Sequence, residues 1–171
     1  QDLKIADLAE REGRCIVIAV NKWDLETQKS KKVLKLKESL DNLLPQLHGV
    51  PMVTVSGLSG FGLPQLQKQI LSAFKIWNMR IQTSRLNTWL SDKLGAHPPP
   101  SISGRRIRMR YITQIKARPP SFVIFTSQPD SVPESYKRYL VNSIRSDFGV
   151  MGVPIRLILR AGKNPYNEKV K

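Results

Sequence analysis

Residues Cys15–Val20 form an unbroken apolar run, C-I-V-I-A-V, with no polar alternation. The run is too short to cross a bilayer and reads as a strand buried on both faces, as in a parallel α/β sheet. Ahead of it, residues 1–14 have helical spacing, with Ile5, Leu8 and Ala9 on one face. Behind it, Ser30–Leu47 places Val33, Leu36, Leu40, Leu43, Leu44 and Leu47 on one face of an amphipathic helix. Met52–Val55 is a second short apolar strand, and Gly62–Trp77 a second amphipathic helix, with Leu63, Leu66, Ile70, Phe74 and Trp77 at spacings of three and four. Phe74 and Trp77 are expected in its core. Strand, helix, strand is right-handed by default. The polar stretches Asn21–Asp24 and Ser56–Leu58 then leave the sheet at the same edge, its carboxyl end, where open α/β sheets bind ligands.

The pattern changes near residues 79–84, which divides the chain into segments 1–80 and 81–171. Ser84 can cap a helix carrying Leu86, Trp89, Leu90 and Leu94, stopped by Gly95 in the left-handed conformation. His97-Pro98-Pro99-Pro100 then forces an extended turn. From Arg106 to Ile112 the period is two. Ile107, Met109 and Tyr111 share one face of a strand, and Arg106, Arg108 and Arg110 the other. Pro119-Pro120 breaks the chain before a second strand, Phe122–Thr126, antiparallel to the first. A helix opened by Ser131 to Glu134 carries Tyr136, Leu140, Ile144 and Phe148 and ends at Gly149. In a last strand, Pro154–Arg160, Ile155, Leu157 and Leu159 point inward and Arg156 and Arg160 outward. The order helix, strand, strand, helix, strand predicts a three-stranded sheet with two helices on one face and a basic opposite face. The segment Gly162–Tyr166 ends the ordered part.

The formal net charge is +15. Segment 1–80 holds 12 Lys and Arg against 8 Asp and Glu, and segment 81–171 holds 16 against 5. An excess this large suggests a polyanionic partner, met mainly by the second half. Candidate RNA contacts are Arg105, Arg106, Arg108, Arg110, Lys116, Arg118, Arg156 and Arg160. Such a surface suits phosphates and the shape of folded RNA more than base sequence. The bland alternative is that these arginines dock on acidic groups of a neighbouring domain. The lysines of segment 26–37 read first as a solvated helix face and, alternatively, as an RNA-facing patch. One cysteine, Cys15, cannot form a disulfide within the chain, and with two histidines it offers no metal cluster. A reducing cytoplasm fits, and no membrane insertion is indicated.

The chemistry lies in Asn21-Lys22-Trp23-Asp24. Guanine presents a ring N–H and an exocyclic amine side by side, and the Asp24 carboxylate can accept from both. Adenine offers the wrong pattern there and would leave a buried acceptor unpaired, which makes discrimination strong. The Asn21 amide can bond both the base and a neighbouring loop. The aliphatic stem of Lys22 can lie along the base while its ammonium stays wet. Trp23 more simply packs locally. Ser56 and Gly57 are placed to offer backbone N–H groups to the guanine carbonyl, with Leu58 completing the loop. No phosphate loop of the form G-x-x-x-x-G-K-[ST] occurs, and no metal-holding Asp accompanies it. The phosphate half of such a site is therefore expected upstream of Gln1. In this chain we expect no catalytic residue and no metal ligand.

N-K-W-D followed by V-S-G-L-S-G-F-G-L resembles the guanine-specificity motifs of translation-factor-related GTPases, with Gly57 where alanine is usual. In the second half, S-R-L-N-T-W-L, P-P-S-I-S-G-R-R-I-R-M-R-Y, P-E-S-Y-K-R-Y-L, V-M-G-V-P-I-R and G-K-N-P-Y look like landmarks of the Der (EngA) family of double-G-domain ribosome-assembly GTPases. The resemblance implies an α/β G-domain fragment, a parallel sheet with flanking helices, over residues 1–80. An α+β K-homology-like domain, αββαβ, would follow over 81–171. It further implies GTP and GDP as ligands, Mg2+ held by residues upstream, GTP hydrolysis in the intact protein, and rRNA and the large ribosomal subunit as partners beside the protein's upstream G domains. Nucleotide state would then reposition the basic domain against rRNA. Gly149-x-x-Gly152 joins a helix to a strand, so the usual K-homology grip on four nucleotides is not expected. A constitutive RNA-binding module with a non-catalytic α/β scaffold is the competing reading.

Overall fold

A computed structural model describes residues 2–43, 49–101 and 106–162. Leu44 and Leu47 of the expected helix, Arg105 and the segment beyond Gly162 lie outside the described residues. The chain forms two compact units, 1–79 with 144–154 and 80–143 with 155–171.

The first unit runs α1 (Asp2–Arg11), β1 (Ile18–Val20), a 3-10 turn (Trp23–Leu25), α2 (Lys29–Leu43), β2 (Met52–Thr54) and α3 (Leu63–Trp77). The strands pair in parallel, with Ile18 opposite Met52 and Val20 opposite Thr54. Ala6 and Leu40 are buried, with Ile16, Ile18, Val50 and Met52 packed against them. The Trp77 indole donates to the Gly13 carbonyl at 3.0 Å, tying the end of α3 to the end of α1. Arg145, from the 144–154 segment, is buried and donates to the carbonyls of Val150 (3.3 Å) and Val153 (2.9 Å). Burial lowers its affinity for its proton, and the Glu10 charge opposes that shift.

Several apolar positions depart from expectation. The strand is shorter than the apolar run, and it is not buried on both faces: Ala19 is exposed, and Cys15 to Ile18 are half-buried. Burial pushes the Cys15 thiol up. Phe74 is exposed rather than core, as are Leu63 and Ile70 on α3 and Ile5 and Leu8 on α1. The reason is geometric. Among the described residues β1 has one neighbour, β2, in a two-stranded sheet. An apolar groove lined by Val17, Ala19, Leu66, Ile70, Phe74 and Trp77 therefore stays open.

The second unit comprises α4 (Thr83–Ala96), β3 (Met109–Lys116), β4 (Ser121–Thr126), the first part of α5 (Glu134–Asp147) and β5 (Arg156–Ala161). The sheet order is β3-β4-β5, antiparallel for the first pair and parallel for the second. Leu86, Ile112, Phe122, Ile124 and Leu140 are fully buried. The edge of β3 is closed by a side chain: Asn87 on α4 accepts from the Ile112 N–H (3.0 Å) and donates to its carbonyl (2.9 Å), as a neighbouring strand would. α4 starts one residue before Ser84, and Gly95 lies within it without a positive φ. The helix stops instead before the proline run, where no backbone N–H can continue it.

Two bulges change the expected face of β3. Pairing slips between Met109 and Tyr111, and again between Gln114 and Lys116. Each inserts an unpaired residue and reverses the alternation. Ile107 and Met109 are buried as expected, but Ile112 then takes the inward place, and Tyr111 is 43% exposed.

The Tyr136 hydroxyl donates to the His97 carbonyl at 2.7 Å, and the Tyr136 pKa is pushed up to about 12 by burial, with Tyr139 adding to it. The folded chain thus holds this proton after the unfolded chain has lost it. The contribution is complete below pH ~10 and declines as pH rises toward the folded value. Tyr136→Phe should cost about 1 kcal/mol at neutral pH and flatten the alkaline decline, as read by urea unfolding from neutral to alkaline pH.

Candidate guanine-binding site

The site is built by the loops that leave two parallel strands. After Val20 the chain turns at Lys22, whose backbone is left-handed (φ 59°, ψ 35°), the sole non-glycine residue of that kind among those described. Such a conformation costs roughly 1–2 kcal/mol and persists only where surroundings enforce it. Trp23 enforces it here. Its ring is buried and its backbone N–H donates to the Val55 carbonyl at 3.0 Å, while the Val55 backbone N–H donates to the Val20 carbonyl at 2.8 Å. These two bonds extend the strand pairing into the turn and bring the 21–24 loop beside the 56–58 loop.

Asn21 closes the gap. Its Oδ1 accepts from its neighbour Lys22 N–H at 2.8 Å and from the Gly57 N–H at 3.0 Å. With the oxygen filled by two donors, the amide NH2 has two hydrogens to offer elsewhere, the complement of a purine ring nitrogen. Asp24 is exposed, and its carboxyl is held below the usual range. The first cause is the Ser56 hydroxyl, which donates to it; its own backbone N–H and the charges of Lys22 and Lys29 act the same way. Ser56 is fully buried, and its Oγ also accepts from the Ser59 N–H at 3.2 Å, so the hydroxyl proton is directed at Asp24. An ionised carboxylate facing outward, with a donor amide beside it, accepts two parallel N–H groups and rejects an acceptor edge.

The donors expected from the second loop are otherwise engaged. The Ser56 N–H goes to the Phe61 carbonyl at 2.9 Å, and the Gly57 N–H to Asn21. Ser56 thus contributes its hydroxyl rather than its backbone. The signal in the sequence was the residue type: a serine hydroxyl at that place can donate to a neighbouring carboxylate. Leu58 stands almost fully exposed at the loop tip, and the Lys22 side chain is also exposed.

The basic residues divide differently. Arg106 and Arg108 precede β3, Arg110 and Lys116 lie on it, Arg118 is in the turn to β4, and Arg156 and Arg160 are on β5; all but Arg118 and Arg106 lie within or beside a paired strand. Register places Lys116 and Arg156 either side of Ser121 at one end of the sheet, and Arg160 beside Phe125 at the other. Apolar side chains separate these ends: Ile115 and Ile158 are exposed between them, and Tyr111 is exposed at the Arg160 end. Among the described residues no cluster of His, Cys, Asp and Glu is arranged to hold a metal, and no helix is long and apolar enough to cross a membrane.

The family described as "KH-domain-like of EngA bacterial GTPase enzymes, C-terminal" matches residues 80–160. The chain is 57% identical, over 99% of its length, to the GTPase Der of Cereibacter sphaeroides. It is 58% identical over its whole length to that of Ruegeria pomeroyi, and 56% to that of Roseobacter denitrificans. The chain belongs to the Der (EngA) family. It spans about a third of the length of these relatives, 35% of the first. A G-domain fragment joined to a KH-like domain accounts for its two sheets, one parallel and two-stranded, the other mixed and three-stranded.

Two glycines in this Der relative separate space from conformation. A Cβ on Gly57 would meet nothing nearer than Asn21 Oδ1 at 3.7 Å, whereas one on Gly62 (φ +76°) would lie 2.2 Å from the Thr54 carbonyl oxygen. Gly57→Ala should change stability by less than about 0.5 kcal/mol, and Gly62→Ala should cost more than about 2 kcal/mol, both measured by denaturant unfolding. Ser56→Ala removes the main support of the Asp24 anion. Its carboxyl midpoint should move upward in a carbon-13 NMR titration, so that the ionised form is lost at higher pH than in the unaltered chain.

Proposed function

We propose that residues Asn21, Lys22, Asp24, Ser56 and Gly57 form the base-recognition half of a GTP site. The intact protein would hydrolyse GTP to GDP and phosphate. The observation that carries the reading is the pairing of an ionised, hydroxyl-oriented Asp24 with an Asn21 amide that binds the other loop. Trp23 and Leu58 serve it indirectly, the first as the packed anchor of the turn and the second as the tip of the loop. The phosphate loop, the Mg2+ ligands and the group that positions water would come from residues outside this sequence, in the upstream part of the G domain. The open groove beside β1 and α3 supports this, because apolar strand and helix surface of that kind is normally covered. On this reading residues 1–80 are the distal part of a G domain, and 81–171 a KH-like domain. Relatives bearing the name GTPase Der point the same way.

The basic second half extends the proposal. We infer that it binds RNA, and that the intact protein acts in assembly of the large ribosomal subunit, with GTP and GDP states altering the engagement of rRNA. The support is the charge excess of 16 over 5 in segment 81–171 and the exposure of Arg108, Arg110, Arg156 and Arg160. In the full-length protein, Asp24→Asn should lower GTP affinity on the order of a hundredfold or more. It should also raise preference for xanthosine triphosphate, whose additional oxygen accepts from the new amide. Nucleotide competition measures both. GTP binding unchanged by Asp24→Asn would remove the site assignment.

A further inference from the structure

The outward face of the β3-β4-β5 sheet presents more than charge. The bulge at Arg110 sets Tyr111 opposite Phe125, and Phe125 stands opposite Arg160 on β5. The Tyr111 and Phe125 rings lie 6.1 Å apart, inclined at 41°. Tyr111 keeps 43% of its surface in water. Exposed arginines flank the pair on both sides, Arg110 adjoining Tyr111 on its strand and Arg160 adjoining Phe125 across the ladder. A recess of about 150 Å3 at this end of the sheet is lined by Arg110, Phe125, Thr126, Ser127 and Gly162. Ordinary small-molecule pockets run to roughly 300–1,000 Å3, so the recess admits an edge or a small group rather than a whole metabolite.

We propose that Tyr111 and Phe125 form a stacking platform for an unpaired base of single-stranded RNA, with Arg110 and Arg160 on the adjoining phosphates. This rests on the reading of the second unit as RNA-binding and narrows it to a strand, not a duplex. In a duplex the base faces are hidden in the stack and the major groove is too deep and narrow for side chains. An aromatic face gains contact only with a base that has been splayed out, and it does so with little regard to which base it is. The charge excess of the second half favours a polyanion over an apolar protein surface for the same patch.

The test uses the full-length protein with a short RNA carrying one 2-aminopurine, offered single-stranded and as the duplex. The single strand should bind better, and its fluorescence should be quenched on binding. Tyr111→Leu should weaken single-strand binding by about 5- to 100-fold, remove the quench and leave the salt dependence as it was. Tyr111→Phe should restore both. Arg110→Gln with Arg160→Gln should reduce the salt dependence. Unchanged affinity in Tyr111→Leu, alongside weakened binding in the arginine variant, would overturn the platform and leave the RNA reading standing. Preference for the duplex would also overturn it. No binding of either RNA at low salt would remove the RNA reading itself and leave the face to a protein partner. Circular dichroism checks folding of each variant. Should Tyr111→Leu not fold, quenching in the unaltered protein decides, and its absence counts against the platform.

Discussion

The side chain of Asn21 accepts a hydrogen bond from the Gly57 backbone, 36 residues further along the chain, while also accepting from its immediate neighbour. The rest of the first unit depends on that bridge and on the strand pairing that makes it possible. β1 and β2 share only three residue pairs, which is little to fix two loops. The ladder is prolonged by the Val55–Val20 and Trp23–Val55 backbone bonds, and Asn21 adds the last rung with a side chain. Removing that oxygen would break both bonds at once and leave two exposed N–H groups to water, so the bridge between the loops would be lost.

That bridge explains why local exceptions gather within a few residues. Lys22 accepts a left-handed backbone, Gly62 supplies one at the start of α3, and Ser56 is a wholly buried polar residue. Each would be a defect alone. Together they turn the chain sharply after each strand, so that Asp24 emerges beside the Ser56 hydroxyl rather than pointing along its own strand. The carboxylate stays charged because a donor, a backbone N–H and two lysine charges favour the anion. It stays exposed, so its acceptor capacity faces outward.

The parallel pairing of β1 and β2, the antiparallel pairing of β3 and β4 and the outward parity of Arg156 and Arg160 were legible because they follow from periodicity and connection length, whereas the place of β5 beside β4 was not. The meeting of the two polar loops was legible too, since a right-handed crossover leaves no other arrangement. What periodicity could not show was exposure. Phe74, Ile70 and Ala19 lie on faces that read as core, and here they border an open groove. An amphipathic pattern says which face seeks cover but not which segment supplies it. Nor were the donors legible in detail. Ser56 and Gly57 do lie beside Asn21 and Asp24, yet their N–H groups bond inside the protein, and the Ser56 hydroxyl turns to Asp24 instead.

The bulges in β3 show a second kind of limit. A strict two-residue period from Arg106 to Ile112 would sort arginines from apolar residues cleanly, and Tyr111 would join Ile107 and Met109 in the core. Ile112 decides otherwise. It is a better core residue than tyrosine, whose hydroxyl needs a partner when buried. Slipping one residue at Arg110 sets Ile112 opposite Ile124, which is itself opposite Leu159, and sends the aromatic ring outward. The cost is one unpaired position on a strand whose free edge is already held at Ile112 by Asn87. The gain is a face on which charge and aromatic surface alternate. Exposed charges act over roughly 10 Å at moderate salt and draw in any polyanion, whereas a ring acts only on contact. A sheet face with charge alone would collect nucleic acid indiscriminately; in the proposed stacking platform, the ring between the arginines would favour an open strand.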